Sequence, residues 1–159
     1  MHRVSQLLDH VTARVRPDEA VLARRVLPAG AWPLFEAMPV ADRRHGLDVA
    51  QRLLAAGHDD PDLLAAALLH DAAKGHRMRL WHRVSGVLLE ALAPRLLARL
   101  ASPRPSSWRY PSHLYLHHGP MSAVAALAAG CSPRCADFIR GQGSDMRLQA
   151  ALLAADEAS

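Results

Sequence analysis

Seven consecutive apolar residues, Leu63–Leu69, run straight into a histidine and an aspartate, His70 and Asp71. Asp60-Pro61 stands just ahead of the run, a capping residue followed by a first-turn proline, and predicts a helix from Pro61 to about Ala73. Gly75 supplies a stop. A helix that is apolar all round has no face to offer to water, so it must lie at the centre of a domain with other elements packed around it.

The rest of the chain offers helices to surround it. Apolar residues recur at helical spacing over Val4–Val15, with Leu7, Leu8, Val11 and Val15 on one stripe, then over Asp18–Val26, Trp32–Met38 and Asp42–Gly57. Arg79–Ala101 reads as one long helix kinked at Pro94. Ser102–Ser112 holds three prolines and four serines and reads as a loop, long for a compact domain and so a candidate functional segment. Pro120–Ala129, Pro133–Arg140 and Asp145 onward complete the pattern. Strand formers are scarce: isoleucine occurs once, at Ile139, and aromatic residues make up 4% of the chain. The expectation is an all-α, compact helical bundle forming one domain over residues 1–159.

Composition excludes several classes. The net charge is +4, but 18 of the 19 basic residues are arginine, Lys74 is the only lysine, and asparagine is absent. That bias has the look of codon composition, so a nucleic-acid partner is not expected. Cys131 and Cys135 are too few for a disulfide framework and read as small apolar residues. Met1–Val15 is amphipathic without a secretory pattern, and the longest apolar run is far below the ~18 residues of a membrane span. A soluble, cytoplasmic protein without a membrane partner is expected. Leu96, Leu97 and Leu100 would serve either the core or a homodimer interface.

Chemistry concentrates where charged groups stay on apolar stripes. Asp71 shares a stripe with Leu64, Ala67 and Leu68; an unpaired buried carboxylate costs several kcal/mol, roughly, so it must meet a cation or several donors. His70 adjoins it at the helix end. His45 lies on the stripe of Val49 and Leu53, and Asp156 on that of Leu148, Leu152 and Leu153. Each has a plain explanation: His45 as a core histidine satisfied by one hydrogen bond, His70-Asp71 as a helix-end ion pair, Asp156 as a solvated carboxylate. Together, two imidazoles and two carboxylates from different helices form a mixed N,O donor set suited to a divalent transition metal, with Mn, Fe, Co, Ni and Zn not separable by sequence.

The order His, His-Asp, Asp resembles the H…HD…D signature of the HD-domain superfamily of metal-dependent phosphohydrolases. Ala67-Leu68-Leu69-His70-Asp71-Ala72-Ala73-Lys74-Gly75 is similar to that family's "ALLHD-x-GK" segment, Arg44-His45-Gly46-Leu47-Asp48-Val49-Ala50 to its first-histidine helix, and Leu152-Leu153-Ala154-Ala155-Asp156 to its closing "L-x-x-AD". The resemblance covers about residues 32–156, leaving 1–30 as a helical extension. It implies a bundle of the HD-domain type in which His45, His70, Asp71 and Asp156 hold one divalent ion (Mn, Fe, Co, Ni, Zn or Mg). The ion would acidify a bound water and polarise the P–O bond of a small phosphorylated substrate, a phosphomonoester or nucleotide. Asp71 would also orient that water, and Lys74 would contact phosphate or the neighbouring carboxylate.

The chain departs from the family pattern as well. Ala73 replaces a usual glycine. His118-Gly119-Pro120-Met121-Ser122-Ala123 matches the family's "H-P-x-x-G-A" stretch loosely, and Ile139-Arg140-Gly141-Gln142-Gly143 stands where a later "HH" would fall. A single metal site is expected, with His118 as an acid/base or phosphate contact, or else simply a histidine at a helix start. Arg44, Arg77 and Arg83 are candidates for binding non-reacting phosphate, against the alternative of a solvated basic face; His76, Arg79 and His82 lie in the same basic run, while His113 and His117, four apart, suggest a surface pair. The alternative function is a non-catalytic HD-fold regulatory module that senses a nucleotide or metal and binds a protein partner.

Overall fold

A computed structural model describes residues 17–75, 78 and 80–159. Among the described residues the fold is all-α, with nine helices and no strand. They are α1 (Pro17–Val26), α2 (Trp32–Glu36), α3 (Val40–Ala55), α4 (Pro61–Leu69), α5 (Leu80–Leu92), α6 (Pro94–Leu100), α7 (Tyr110–Ala128), α8 (Pro133–Ile139) and α9 (Met146–Glu157). None is long and apolar enough to cross a membrane. The helix expected over Val4–Val15 lies outside the described residues.

α4 is the centre, as its composition demands. Every residue from Leu63 to Leu69 is buried, and the helix contacts α1, α3, α7, α8 and α9. Phe35, Leu47, Leu53 and Phe138 fill the space around it. Its start is fixed by Asp60, whose carboxylate accepts from the Asp62 and Leu63 backbone N–H groups at 3.1 Å each. The same carboxylate pairs with Arg134 of α8 at 2.7 Å, so the cap also ties two helices together. Cys131 and Cys135 are buried free thiols.

The helical hydrogen-bond pattern of α4 ends at Leu69, four residues earlier than the apolar periodicity suggested. His70 to Gly75 form successive turns closed by Ala72 N–H to Leu69 C=O and Lys74 N–H to Asp71 C=O, both 3.0 Å. Gly75 ends the segment at φ +56, a left-handed conformation that side chains disfavour.

Two long segments differ from their expected form. The helix foreseen as a single kinked rod over Arg79–Ala101 is broken into α5 and α6 at Ala93, whose φ of −151 and ψ of 61 are not helical. The proline ring of Pro94 disfavours the helical region for the residue before it, which forces the break there. The Pro-rich loop is shorter than Ser102–Ser112, because α7 already begins at Tyr110 with Pro111 in its first turn. That helix continues through Pro120 to Ala128. His118 is therefore mid-helix and not at a helix start. Leu97 is buried and Leu96 half exposed, at 47%, so the leucines of α6 divide between core and surface.

Candidate metal centre

Three side chains from three helices converge at the carboxyl end of α4. His45 of α3, His70 at the C-cap of α4 and Asp156 of α9 place one ligand atom each within 4.8 Å of one another. Asp156 Oδ1 lies 2.7 Å from His45 Nε2 and 3.4 Å from His70 Nε2. The two imidazoles meet edge to face with centroids 5.2 Å apart. This is a possible metal-binding triad.

Asp71 stands next to the triad, on its buried side. Its Oδ1 is 3.5 Å from His70 Nε2 and 3.7 Å from His118 Nε2, while its Oδ2 accepts from Lys74 Nζ at 2.6 Å. The side chain is 2% exposed. Among the described residues Oδ1 has no hydrogen-bond partner, and burial without one is costly for a charged oxygen.

The histidines are oriented from behind. His70 Nδ1 lies 2.9 Å from the Ala67 carbonyl and His118 Nδ1 2.9 Å from that of Tyr115. A carbonyl can only accept, so each Nδ1 carries the proton, and Nε2 presents its lone pair to the centre when the ring is neutral. A histidine whose rear N–H is held by a carbonyl is the usual arrangement in metal sites. The imidazoles of His45 and His70, the second so fixed, and the carboxylates of Asp156 and Asp71, the latter with an oxygen lacking a hydrogen-bond partner among the described residues, make a donor set that fits a divalent cation.

Electrostatics show how the groups lean on one another in the absence of a cation. Burial pushes His70 down, but the Asp71 and Asp156 carboxylates outweigh it and hold the ring up at about 9. Burial likewise opposes charge on Asp71 and Asp156. Yet His70, Lys74 and His118 hold Asp71 far below the usual carboxylate range, and His45 and His70 do the same for Asp156. His118 is lowered by burial and by the Lys74 ammonium, which keeps it neutral at ordinary pH.

Of the arginines expected at the phosphate, Arg44 has its guanidinium on Asp48 one turn along α3, with Nε 3.0 Å from Oδ2. Arg83 falls in α5, with its side chain outside the described residues, as are His76, Arg77 and Arg79. His113 and His117 share a face of α7 with ring centroids 4.5 Å apart.

Three residues escaped sequence reasoning, two of which serve the centre. A Cβ on Gly46 would stand 3.0 Å from the Leu68 carbonyl oxygen and 3.1 Å from that of Ala67. Glycine here lets α3 lie against α4, and the Ala67 carbonyl it spares is the one that orients His70. A glycine inside a helix costs about 1 kcal/mol relative to alanine, and that cost was the available signal. Ser122 of α7 is fully buried and its Oγ accepts from Ala73 N–H at 3.0 Å, anchoring the turn that carries Asp71 and Lys74. Asp42, expected to start a helix, is fully buried in the first turn of α3.

A scan of protein-family models, a search of curated proteins and a search of solved structures each found no significant match.

Proposed function

We propose that the protein is a metal-dependent phosphohydrolase of the HD-domain type, acting on a phosphomonoester or nucleotide. The observation that carries this reading is the buried Oδ1 of Asp71, without a hydrogen-bond partner among the described residues, beside the His45–His70–Asp156 triad. His45, His70 and Asp156 would hold a divalent cation, and Asp71 Oδ1 would find in it the partner it lacks among the described residues. Transition metals suit the two imidazoles best.

When bound, a divalent ion acidifies water and withdraws charge from a phosphoryl oxygen. The remaining work falls to the chain. Asp71 orients water from its buried side. Lys74, fixed by Asp71, sets a positive charge beside the incoming phosphate. His118, neutral and held by the Tyr115 carbonyl, has Nε2 ready to accept or return a proton 3.7 Å from Asp71 Oδ1.

The test is elemental analysis of protein purified without chelators, beside His70→Ala prepared identically, followed by a phosphomonoester and nucleotide screen in the metal found. About one transition metal per chain, lost in the variant, with turnover that Asp71→Ala abolishes, is the expected result. Full activity and metal content in Asp71→Ala would overturn the mechanism. Tight nucleotide binding without turnover would favour the non-catalytic regulatory module instead.

A further inference from the structure

α7 turns two stripes toward different surroundings. Leu114, His118 and Ser122, spaced four residues apart, face the core and the candidate centre: Leu114 and Ser122 are buried, and His118 Nε2 approaches Asp71. Successive residues of a helix diverge by about 100°, so His117 lies on a different stripe from its neighbour His118. It shares that stripe with His113, one turn earlier. His113 is partly exposed and His117 exposed, and among the described residues neither ring is in a hydrogen bond or ion pair. The contrast is with His70 and His118, whose Nδ1 atoms are taken up by backbone carbonyls.

The spacing of the two rings is that of a chelate. Their centroids lie 4.5 Å apart with the planes inclined at 44°, so they are not stacked face to face. Transition ions bond an imidazole nitrogen at about 2.0–2.1 Å, which puts the ion roughly 3.2 Å from the ring centroid. Two centroids 4.5 Å apart then subtend about 90° at a shared ion. A right angle matches neighbouring positions of a square-planar or octahedral ion better than the tetrahedral angle of about 109°. His113 is steadied by Tyr110, whose ring stacks on it with centroids 5.9 Å apart. His117, being exposed, has room to turn a nitrogen toward an ion held by its neighbour.

We propose that His113 and His117 form a second transition-metal site, a two-imidazole chelate on the surface of α7 that takes Cu²⁺ most tightly and Ni²⁺ next. Water fills the remaining positions. The site shares no residue with the His45–His70–Asp156 triad and stands whether or not the protein is a hydrolase. Histidines four apart on one face of a helix are the arrangement by which H-E-x-x-H segments hold zinc. Once one imidazole is bonded the other is within reach, which raises affinity about a hundredfold over a single histidine. Imidazole donors suit Cu²⁺ and Ni²⁺, whereas Mn²⁺ stands last in the affinity order and does not compete here. Two protein donors hold an ion more weakly than the larger set around the triad. The pair therefore empties during purification and fills from added metal, and an ion retained through purification belongs to the triad.

The experiment is titration of the full, tag-free chain with CuCl₂ against glycine as competing chelator, with bound Cu²⁺ followed by electron paramagnetic resonance. At metal concentrations that saturate the wild type, His113→Gln and His117→Gln should each take up one equivalent fewer, since a lone imidazole binds about a hundredfold more weakly. The spectrum of that equivalent should show coupling to two nitrogens. His117→Gln alters an exposed side chain, and unchanged circular dichroism checks that its fold is kept. His70→Ala, which breaks the triad, should retain the equivalent, and so should His58→Gln, which removes a histidine outside both sites. Equal uptake with an unchanged spectrum in the wild type and both α7 variants would overturn the site and leave an adventitious ion only. Loss of the same equivalent in His70→Ala but not in His117→Gln would place the ion at the triad and overturn it as well. If His70→Ala does not fold, the comparison of wild type with His117→Gln decides alone.

Discussion

Lys74→Met removes the ammonium that stands 2.6 Å from Asp71 Oδ2 while keeping most of the aliphatic stem. At an effective dielectric of about 20, unit charges at that separation attract by roughly 6 kcal/mol, much of which offsets the cost of withdrawing both from water. Water cannot replace the lost partner easily, since the Asp71 side chain is 2% exposed. The carboxylate would lose its donor on Oδ2 while Oδ1 already has none among the described residues. Breaking one side of such a buried pair costs about 3–5 kcal/mol, a large part of the roughly 5–15 kcal/mol that holds a domain folded.

Urea denaturation of wild type and variant in excess chelator reads that loss as a lower midpoint. Added metal provides a second reading. A cation at Oδ1 supplies the missing positive charge, so Mn²⁺ should restore about 2.7 kcal/mol when free metal is a hundred times its dissociation constant. A variant within about 0.5 kcal/mol of wild type, the ordinary range of a surface substitution, would refute the burial argument. If saturating metal stabilised wild type and left Lys74→Met as weak as before, the placement of the cation beside Asp71 would be wrong.

Other expectations follow from single contacts. Gly46→Val drives branched carbons into the Leu68 and Ala67 carbonyls; it should cost about 1–3 kcal/mol and weaken metal uptake in a direct titration, and unchanged uptake would separate the α3–α4 approach from the site. In chelator, His70 is held at about 9 against an ordinary 6.5, so its contribution is full below pH 6.5 and is lost as pH rises through 9. The loss should be up to about 3 kcal/mol, read from urea midpoints at several pH values, and His70→Gln should flatten that slope. The depressed Asp71 and Asp156 carboxyls act oppositely, with contributions present above their ordinary range near pH 4 and lost in strong acid. Asp60→Ala removes both the α4 cap and the tie to Arg134, and should lower thermal stability by about 1–2 kcal/mol. Little change there would show that Asp62 alone can hold the α4–α8 junction.

The central helix could be read directly from residues. Leu63–Leu69 had nowhere to go but the middle, Asp60-Pro61 marked its start, and Gly75 marked the end of the turns beyond it. Position on an apolar stripe also found His45, His70, Asp71 and Asp156, because the cost of burying a polar group is visible wherever one interrupts a helical apolar pattern. The same logic could not see which of them touch. The structure brings His45, His70 and Asp156 together and sets Asp71 behind them with Lys74, a division that depends on how three helices cross. Ala93 and Pro120 show the limit on the backbone side. One proline breaks a helix and another is carried inside one, and the choice rests on whether surrounding packing outweighs the roughly 3 kcal/mol that an interior proline costs.

What the sequence by itself determined is therefore the class of fold and the candidate polar residues on apolar stripes, Asp71 among them, since periodicity and burial cost are local properties of the chain; the buried Asp42 and Ser122 were not legible in it. Tertiary structure alone decided the geometry among those residues: the close approach that Gly46 permits, the carbonyls that fix the imidazole protons, and the partnership of Asp71 with Lys74. Those depend on distances between helices, and side chains far apart in sequence acquire a separation only when the helices pack.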